Sequence, residues 1–133
     1  HIGVSSHSLE VLPWIIASDA FDSVMVEYSA FYPQTRDLIV QAAARDLGVI
    51  VMRPLGGSGR TSVMRGRAAR GTLDEVTPER LLRYALSAPG VSAAIPGARH
   101  PDRIARNVAT VEAFTLMPEE AMYALELAAS RFD

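Results

Sequence analysis

The chain has 133 residues, enough for one domain, 1–133, with a real hydrophobic core. Its formal charge of −2, with 49% hydrophobic and 21% charged residues, is that of an ordinary globular protein and speaks against a nucleic-acid partner, which needs a clustered cationic face. Cysteine is absent, so disulfides and thiolate metal sites are excluded. No apolar run is long enough to span a bilayer and no membrane partner is expected; a reducing cytoplasm is the compartment that fits.

Four short apolar runs recur, each followed by a helical pattern. Ile2 to Ser5 reads as a strand, and the chain opens directly inside it at His1, which suggests a fragment of something longer. From Ser8 to Ala20 the apolar residues Leu9, Leu12, Ile15 and Ile16 have helical spacing, with Pro13 making the helix late-starting or kinked. Asp22 to Ser29, rich in valine and tyrosine, reads as a second strand. Thr35 is placed to cap a helix through Leu38, Ile39, Ala42, Ala43 and Leu47, with Gly48 as its stop. Val49 to Leu55, continuously apolar until Arg53, predicts a third strand buried on both faces.

A Gly/Ser/Arg-rich loop runs from Gly56 to about Val76. Thr77-Pro78-Glu79 then supplies a cap and a first-turn proline for a helix through Leu81, Leu82, Ala85 and Leu86. Val91 to Ile95 predicts the fourth strand and Pro101 to Phe114 its helix, and Met117-Pro118-Glu119-Glu120 opens a last helix with Met122, Leu125 and Ala128 on one face. Strands alternating with helices imply βαβ units and a parallel sheet. About four units plus a C-terminal helix amount to half of a (β/α)8 TIM barrel, with a small open flavodoxin-like sheet as the alternative. Polar residues and glycines favour the α/β barrel. They gather at Ser5-Ser6, Glu27 to Ser29, Arg53 to Gly57 and Pro96 to Arg99, the strand C-terminal ends where a barrel builds function.

At these four strand ends the sequence resembles the C-terminal half of the aldo-keto reductases. Ile2-Gly3-Val4-Ser5-Ser6-His7 is similar to the end of the family's fifth barrel strand, Val26-Glu27-Tyr28-Ser29 to its sixth, and Met52-Arg53-Pro54-Leu55-Gly56-Gly57 to its seventh. Ile95-Pro96-Gly97-Ala98 with Arg103 and Asn107 is similar to the eighth strand and its helix. The resemblance implies an enzyme that reduces aldehydes and ketones to alcohols with NADPH, or less often NADH. It places Ser5, with Ser6 where asparagine is commonest, at the nicotinamide carboxamide. It wraps the pyrophosphate with the loop Arg53, Pro54, Leu55, Gly56 and Gly57, and sets Gly97, Arg103 and Asn107 at the adenosine end.

The chain departs from the family at several points. Met25 stands where a glutamine usually binds the carboxamide, Gly97-Ala98 replaces a Lys-Ser pair, and Arg106 replaces an acid. Arg99 and Arg103 remain as partners for a 2′-phosphate, which leaves NADP against NAD open. The family's catalytic aspartate, tyrosine, lysine and histidine belong to the first four strands, so no catalytic residue is assigned here and the chain alone is expected to be inactive.

Plainer readings stand beside these. His1, His7 and His100 lack the close helical spacing of a zinc motif, so no metal is expected; His7 either borders a pocket or contacts the start of the next helix, the second being favoured. Glu27 and Arg53 form either a structural ion pair, the favoured reading, or an acid–base pair. Gly56-Gly57-Ser58-Gly59-Arg60 is either a phosphate loop or a linker, and Arg60, Arg65, Arg67 and Arg70 read as a solvated loop. Tyr28, Phe31 and Tyr32 either border a cleft or pack at a strand end, while Trp14 and Met122 read as core.

Two function classes follow: the cofactor-binding half of a carbonyl reductase, or a nucleotide-sensing, partner-binding module like the potassium-channel β subunits. The expected partners are a small carbonyl substrate and either the N-terminal half of the barrel or a second copy, since an isolated half exposes two strand edges.

Overall fold

The computed structural model describes residues 1–57 and 75–131. Four strands, β1 (Gly3–Ser6), β2 (Ser23–Glu27), β3 (Gly48–Met52) and β4 (Val91–Ile95), lie side by side in chain order, each neighbouring pair parallel. Helix α1 (Leu12–Ala17) separates the first two strands, and a 3-10 turn (Pro33–Thr35) runs into α2 (Arg36–Ala44) before β3. Helix α3 (Pro78–Ser87) precedes β4, and α4 (Pro101–Glu112) and α5 (Glu119–Ser130) follow it. Ser58, Gly59, Arg60, Arg65, Arg67 and Arg70 lie outside the described residues.

Period-two alternation divides the sheet into two faces. Val24 and Val26 of β2 and Val49 and Val51 of β3 are buried and form one core with Leu12, Ile15 and Ile16 of α1, Ile39 and Ala42 of α2, and Leu81, Tyr84 and Ala85 of α3. Met122, Leu125 and Ala128 of α5 close this core from the C-terminal side. The opposite face carries Ser23, Met25 and Glu27 beside Gly48, Ile50 and Met52, all half-buried. This corrects the expectation of a third strand buried on both faces: among the described residues only the helix-side face of β3 is fully covered.

Several element boundaries also differ from the sequence reading. Helix α1 starts at Leu12 rather than Ser8, the late-starting alternative, with Pro13 in its first turn, where the missing N–H costs nothing. Leu12, Ile15 and Ile16 share its buried face; Trp14, two positions from Leu12, turns to the opposite side and is 66% exposed, not core. Thr35 makes no side-chain cap, because the 3-10 turn leads straight into α2 and buries it. Gly48 does not stop α2: the helix ends at Ala44, Asp46 takes the left-handed conformation with φ 61°, and Gly48 already belongs to β3. Strand β3 ends at Met52 because Arg53 turns left-handed, with φ 54°.

The start of α3 follows the sequence closely. Thr77 is extended, its Oγ1 accepts from the Arg80 N–H at 3.2 Å, and Pro78 opens the first turn. Thr77→Ala is expected to lower stability by about 1 kcal/mol, read as a lower urea midpoint at unchanged slope.

Among the described residues strands β1 and β4 each pair on one side only, leaving two open sheet edges. Helix α4 buries none of its residues; Ile104, Val108 and Val111, spaced i, i+4, i+7, form an apolar stripe exposed by about half.

Candidate functional site

The site grows from the sheet's open face. Ser5 pairs with Met25 and Met25 with Ile50 in register, so these three side chains form one layer. Extending the β1–β2 register two residues sets His7 beside Glu27, whose β3 partner is Met52, itself paired with Ile95. That is the outermost layer at the C-terminal end of the sheet. Ser6 falls on the other face by alternation, where its Oγ accepts from the Ser8 N–H at 3.1 Å and turns the chain toward α1.

Glu27 joins three strand ends. Its Oε2 lies 2.9 Å from His7 Nδ1 and accepts from Arg53 Nη1 at 3.2 Å. The Glu27–Arg53 ion pair read from the sequence is therefore present. The helix-start contact favoured for His7 is not, since the register brings its ring to β2 instead. Strand alternation alone would send Arg53 to the helix side; its left-handed backbone swings the guanidinium back over the open face. Non-glycine residues seldom adopt this conformation, and such strain collects at functional positions.

The turn after β3 is built around missing side chains. The Gly56 N–H donates to the Arg53 carbonyl at 2.9 Å, and Gly56 and Gly57 have φ of 78° and 93°. Phe31 packs beneath this turn so closely that a Cβ on Gly56 would sit 2.7 Å from its Cε2. Pro54 is buried and Leu55 half-buried, which anchors the turn while Arg53 stays exposed. After β4, Gly97 is exposed and open, a Cβ there meeting nothing within 4 Å. Arg99 and Arg103 are exposed at the start of α4, and Asn107, one turn after Arg103 on the same side, is half-buried. The predicted residues thus line the C-terminal ends of all four strands. From β1 to β4 that is three strand spacings, about 14 Å along the sheet.

Beside this site lies a polar cluster that the sequence did not disclose. Arg36 donates from Nε to the Tyr28 hydroxyl at 3.1 Å and from Nη2 to the Tyr84 hydroxyl at 2.9 Å, and pairs with Glu126. Tyr84 donates to Glu126 Oε1 at 2.7 Å, and the Tyr28 and Tyr84 rings stack with centroids 5.2 Å apart. Burial pushes both tyrosine hydroxyls above their ordinary range. The neighbouring Tyr84 and Arg36 side chains partly offset this at Tyr28, and the neighbouring Tyr28 hydroxyl and the Glu126 carboxylate add to it at Tyr84. Burial works against the Arg36 charge, yet its bond to Tyr28 and the charges around it hold its pKa above the usual arginine value. Of the two readings for Tyr28, packing is the one observed.

A shallow cleft of about 270 Å³ between Phe31, Pro33 and α5 is lined by Tyr123, Glu126 and Leu127; Phe31 thus borders a cleft, one of its two readings, but none of the residues expected to bind cofactor lines it. Among the described residues no cluster of three metal-ligating side chains occurs, and no helix is long and apolar enough to cross a membrane.

Four parallel strands with intervening helices, their polar residues gathered at one end, define an α/β protein of the barrel type. The model of the aldo/keto reductase family matches residues 1–128, and the chain belongs to that family. No curated protein sequence matches it. Among solved structures it is similar to the aldo-keto reductase AKR11C1 from Bacillus halodurans in its holo form, at TM-score 0.69 and 22% identity, covering 92% of this chain and 49% of that one. The apo form of that enzyme gives 0.68 and 21%, covering 92% and 48%. The thermostable aldo-keto reductase Tm1743, in complex with the inhibitor epalrestat, gives 0.60 and 20%, covering 96% and 47%. The fold is thus part of the aldo-keto reductase barrel, and the chain spans about half the length of these structures.

Proposed function

We propose that the chain is the C-terminal, cofactor-binding half, strands five to eight, of a cytoplasmic NAD(P)H-dependent aldo-keto reductase. The observation that carries this reading is the span of the site. The predicted contacts reach across all four strand ends, so a single ligand touching Ser5 and Gly97 must be extended, as a dinucleotide is. The turn at Gly56 and Gly57 also suits a pyrophosphate, since both residues take positive φ and Gly56 has no Cβ to displace Phe31, which lets the backbone close tightly at the strand end.

In this reading Ser5, beside Met25, orients the nicotinamide carboxamide, with Ser6 supporting the turn. The backbone of Arg53, Pro54, Leu55, Gly56 and Gly57 follows the pyrophosphate, the Arg53 guanidinium being turned away to Glu27, and Gly97 and Asn107 hold the adenosine end. Arg99 and Arg103, both exposed at the start of α4, favour a 2′-phosphate and hence NADPH over NADH. The nicotinamide supplies hydride to a carbonyl carbon when bound; this chain contributes binding and orientation. The acid that protonates the carbonyl oxygen belongs to the catalytic tetrad on the first four strands, so the chain alone is inactive. The open edges of β1 and β4 and the bare stripe on α4 are the surfaces that either those four strands or a second copy would close.

Titration of the chain with NADPH, followed by nucleotide fluorescence, tests the reading. Binding is expected, preferring NADPH to NADH and weakened about tenfold by Arg103→Ala. A chain that binds neither nucleotide sinks it. Met25 favours one second reading, a nucleotide-sensing module, because a thioether cannot donate to the carboxamide as a glutamine does. A completed barrel that binds NADPH without reducing any aldehyde would select that reading instead.

A further inference from the structure

We propose that His7, Glu27 and Arg53 form a recognition site for an oxyanion, the carboxylate or phosphate group of the carbonyl substrate, and that protonation of His7 strengthens it. The assignment to the substrate rests on the cofactor reading above; the anion site itself rests on geometry alone.

Glu27 is 20% exposed and uses one oxygen, Oε2, to hold both His7 Nδ1 and Arg53 Nη1. The two bases are about half exposed, at 52% and 45%, so an incoming anion can reach both. With Nδ1 bonded to Glu27, Nε2 of His7 becomes a donor to an anion only when the ring is protonated, and holding Nη1 leaves the Nε and Nη2 donors of Arg53, a fork that matches a carboxylate or phosphate. The left-handed backbone at Arg53 is what brings that fork to this face.

Position decides between ligand sources. His7 and Glu27 lie one layer beyond Ser5 and Met25, about 7 Å along the strands. If the nicotinamide lies on the Ser5 layer, the reacting carbonyl lies between it and the rim, within reach of a substrate whose charged group is a few bonds away. The rest of the outer layer, Met52 and Ile95, is apolar, so within that layer the polar contacts come from His7 and Glu27, with Arg53 joining them from the end of β3.

Charge gives the pH dependence. With neutral His7 the trio sums to zero; with protonated His7 it sums to +1, so the protonated form holds an anion more tightly. The charged groups facing His7 are Glu27 on β2 and, through it, Arg53 after β3; among the described residues no other ion pair or hydrogen bond reaches its ring.

Sulfate, whose charge is constant across this range, is the probe. Titrated into the chain at about pH 6, it is expected to shift the side-chain nitrogen signals of His7 and Arg53, with affinity falling about fivefold or more by about pH 8. His7→Gln is expected to remove the pH dependence. Arg53→Asn, which tolerates the left-handed backbone, is expected to weaken binding about tenfold at both pH values. Sulfate binding that ignores pH, or that is unchanged in Arg53→Asn, overturns the site. NADP+ at saturation is expected to leave sulfate bound; competition would assign the site to the cofactor's phosphates and overturn the substrate assignment. A sulfate response without NADP+ binding supports the anion site and counts against the cofactor reading and the substrate assignment that rests on it. NADP+ binding without a sulfate response overturns the anion site and leaves that reading standing.

Discussion

Replacing Arg36 with methionine is expected to lower the stability of the fold by about 3 kcal/mol, because it leaves Glu126 and two buried tyrosine hydroxyls without their shared cation. The cluster ties four separate segments together: Tyr28 after β2, Arg36 opening α2, Tyr84 within α3 and Glu126 within α5. Its groups are mostly out of water, Glu126 being 17% and Arg36 32% exposed, so the loss is larger than for a surface pair. Removing Glu126 as well, as Arg36→Met with Glu126→Leu, is expected to recover part of the loss, since no lone carboxylate then remains buried. A urea midpoint that barely moves in Arg36→Met would show that water satisfies these groups and that the cluster does not anchor α5.

The same cluster makes the fold sensitive to alkali, and the sign follows from the raised tyrosine pKa values. Tyr28 and Tyr84 stay neutral in the folded chain above pH 10, where an unfolded tyrosine ionises. Their stabilising contribution is therefore complete below pH 10 and is lost as pH climbs toward the folded values, at about 1.4 kcal/mol per pH unit for each tyrosine. Tyr84→Phe is expected to flatten that slope while costing some stability near neutrality. An unchanged alkaline slope in the variant would mean that Tyr84 ionises as freely in the folded state as in the unfolded one.

What the sequence disclosed, and what it hid, follows from the range of the interactions involved. Local chemistry was legible: Thr77 and Pro78 mark the start of α3 through a bond spanning three residues, and Met122, Leu125 and Ala128 share a face through helical spacing alone. The strand-end residues were legible because parallel βα units place every strand's C-terminus at one end. The size and aromaticity of Trp14 suggest core, but its place depends on where α1 begins; once Leu12 opens the helix, the angle turns it outward. Gly48 was misread because a glycine after a helical run suggests a C-cap, whereas Asp46 supplies the left-handed residue. Arg36 and Glu126 lie 90 residues apart, and no local pattern pairs them. His7 is the instructive intermediate: alternation from Ser5 puts it on the open face, but only the β1–β2 register, set by tertiary packing, brings it to Glu27.

Gly56→Ala and Gly97→Ala together test whether the strand-end turns are shaped for a ligand or only for the fold. At Gly56 an alanine must adopt φ 78°, which costs about 1–2 kcal/mol, and its Cβ drives Phe31 from beneath the turn. The variant is expected to lose both stability and at least about tenfold in NADPH affinity, because displacing Phe31 moves the backbone proposed to follow the pyrophosphate. At Gly97 the added Cβ meets only open space, so stability should be unchanged. Any loss of affinity there reports a ligand that approaches the backbone too closely for a side chain. Denaturation and nucleotide titration of the two variants separate the cases. If Gly97→Ala binds NADPH as the parent does, the adenosine end does not lie against β4; if Gly56→Ala is unchanged in both measurements, the turn after β3 is not the rigid cradle its backbone describes.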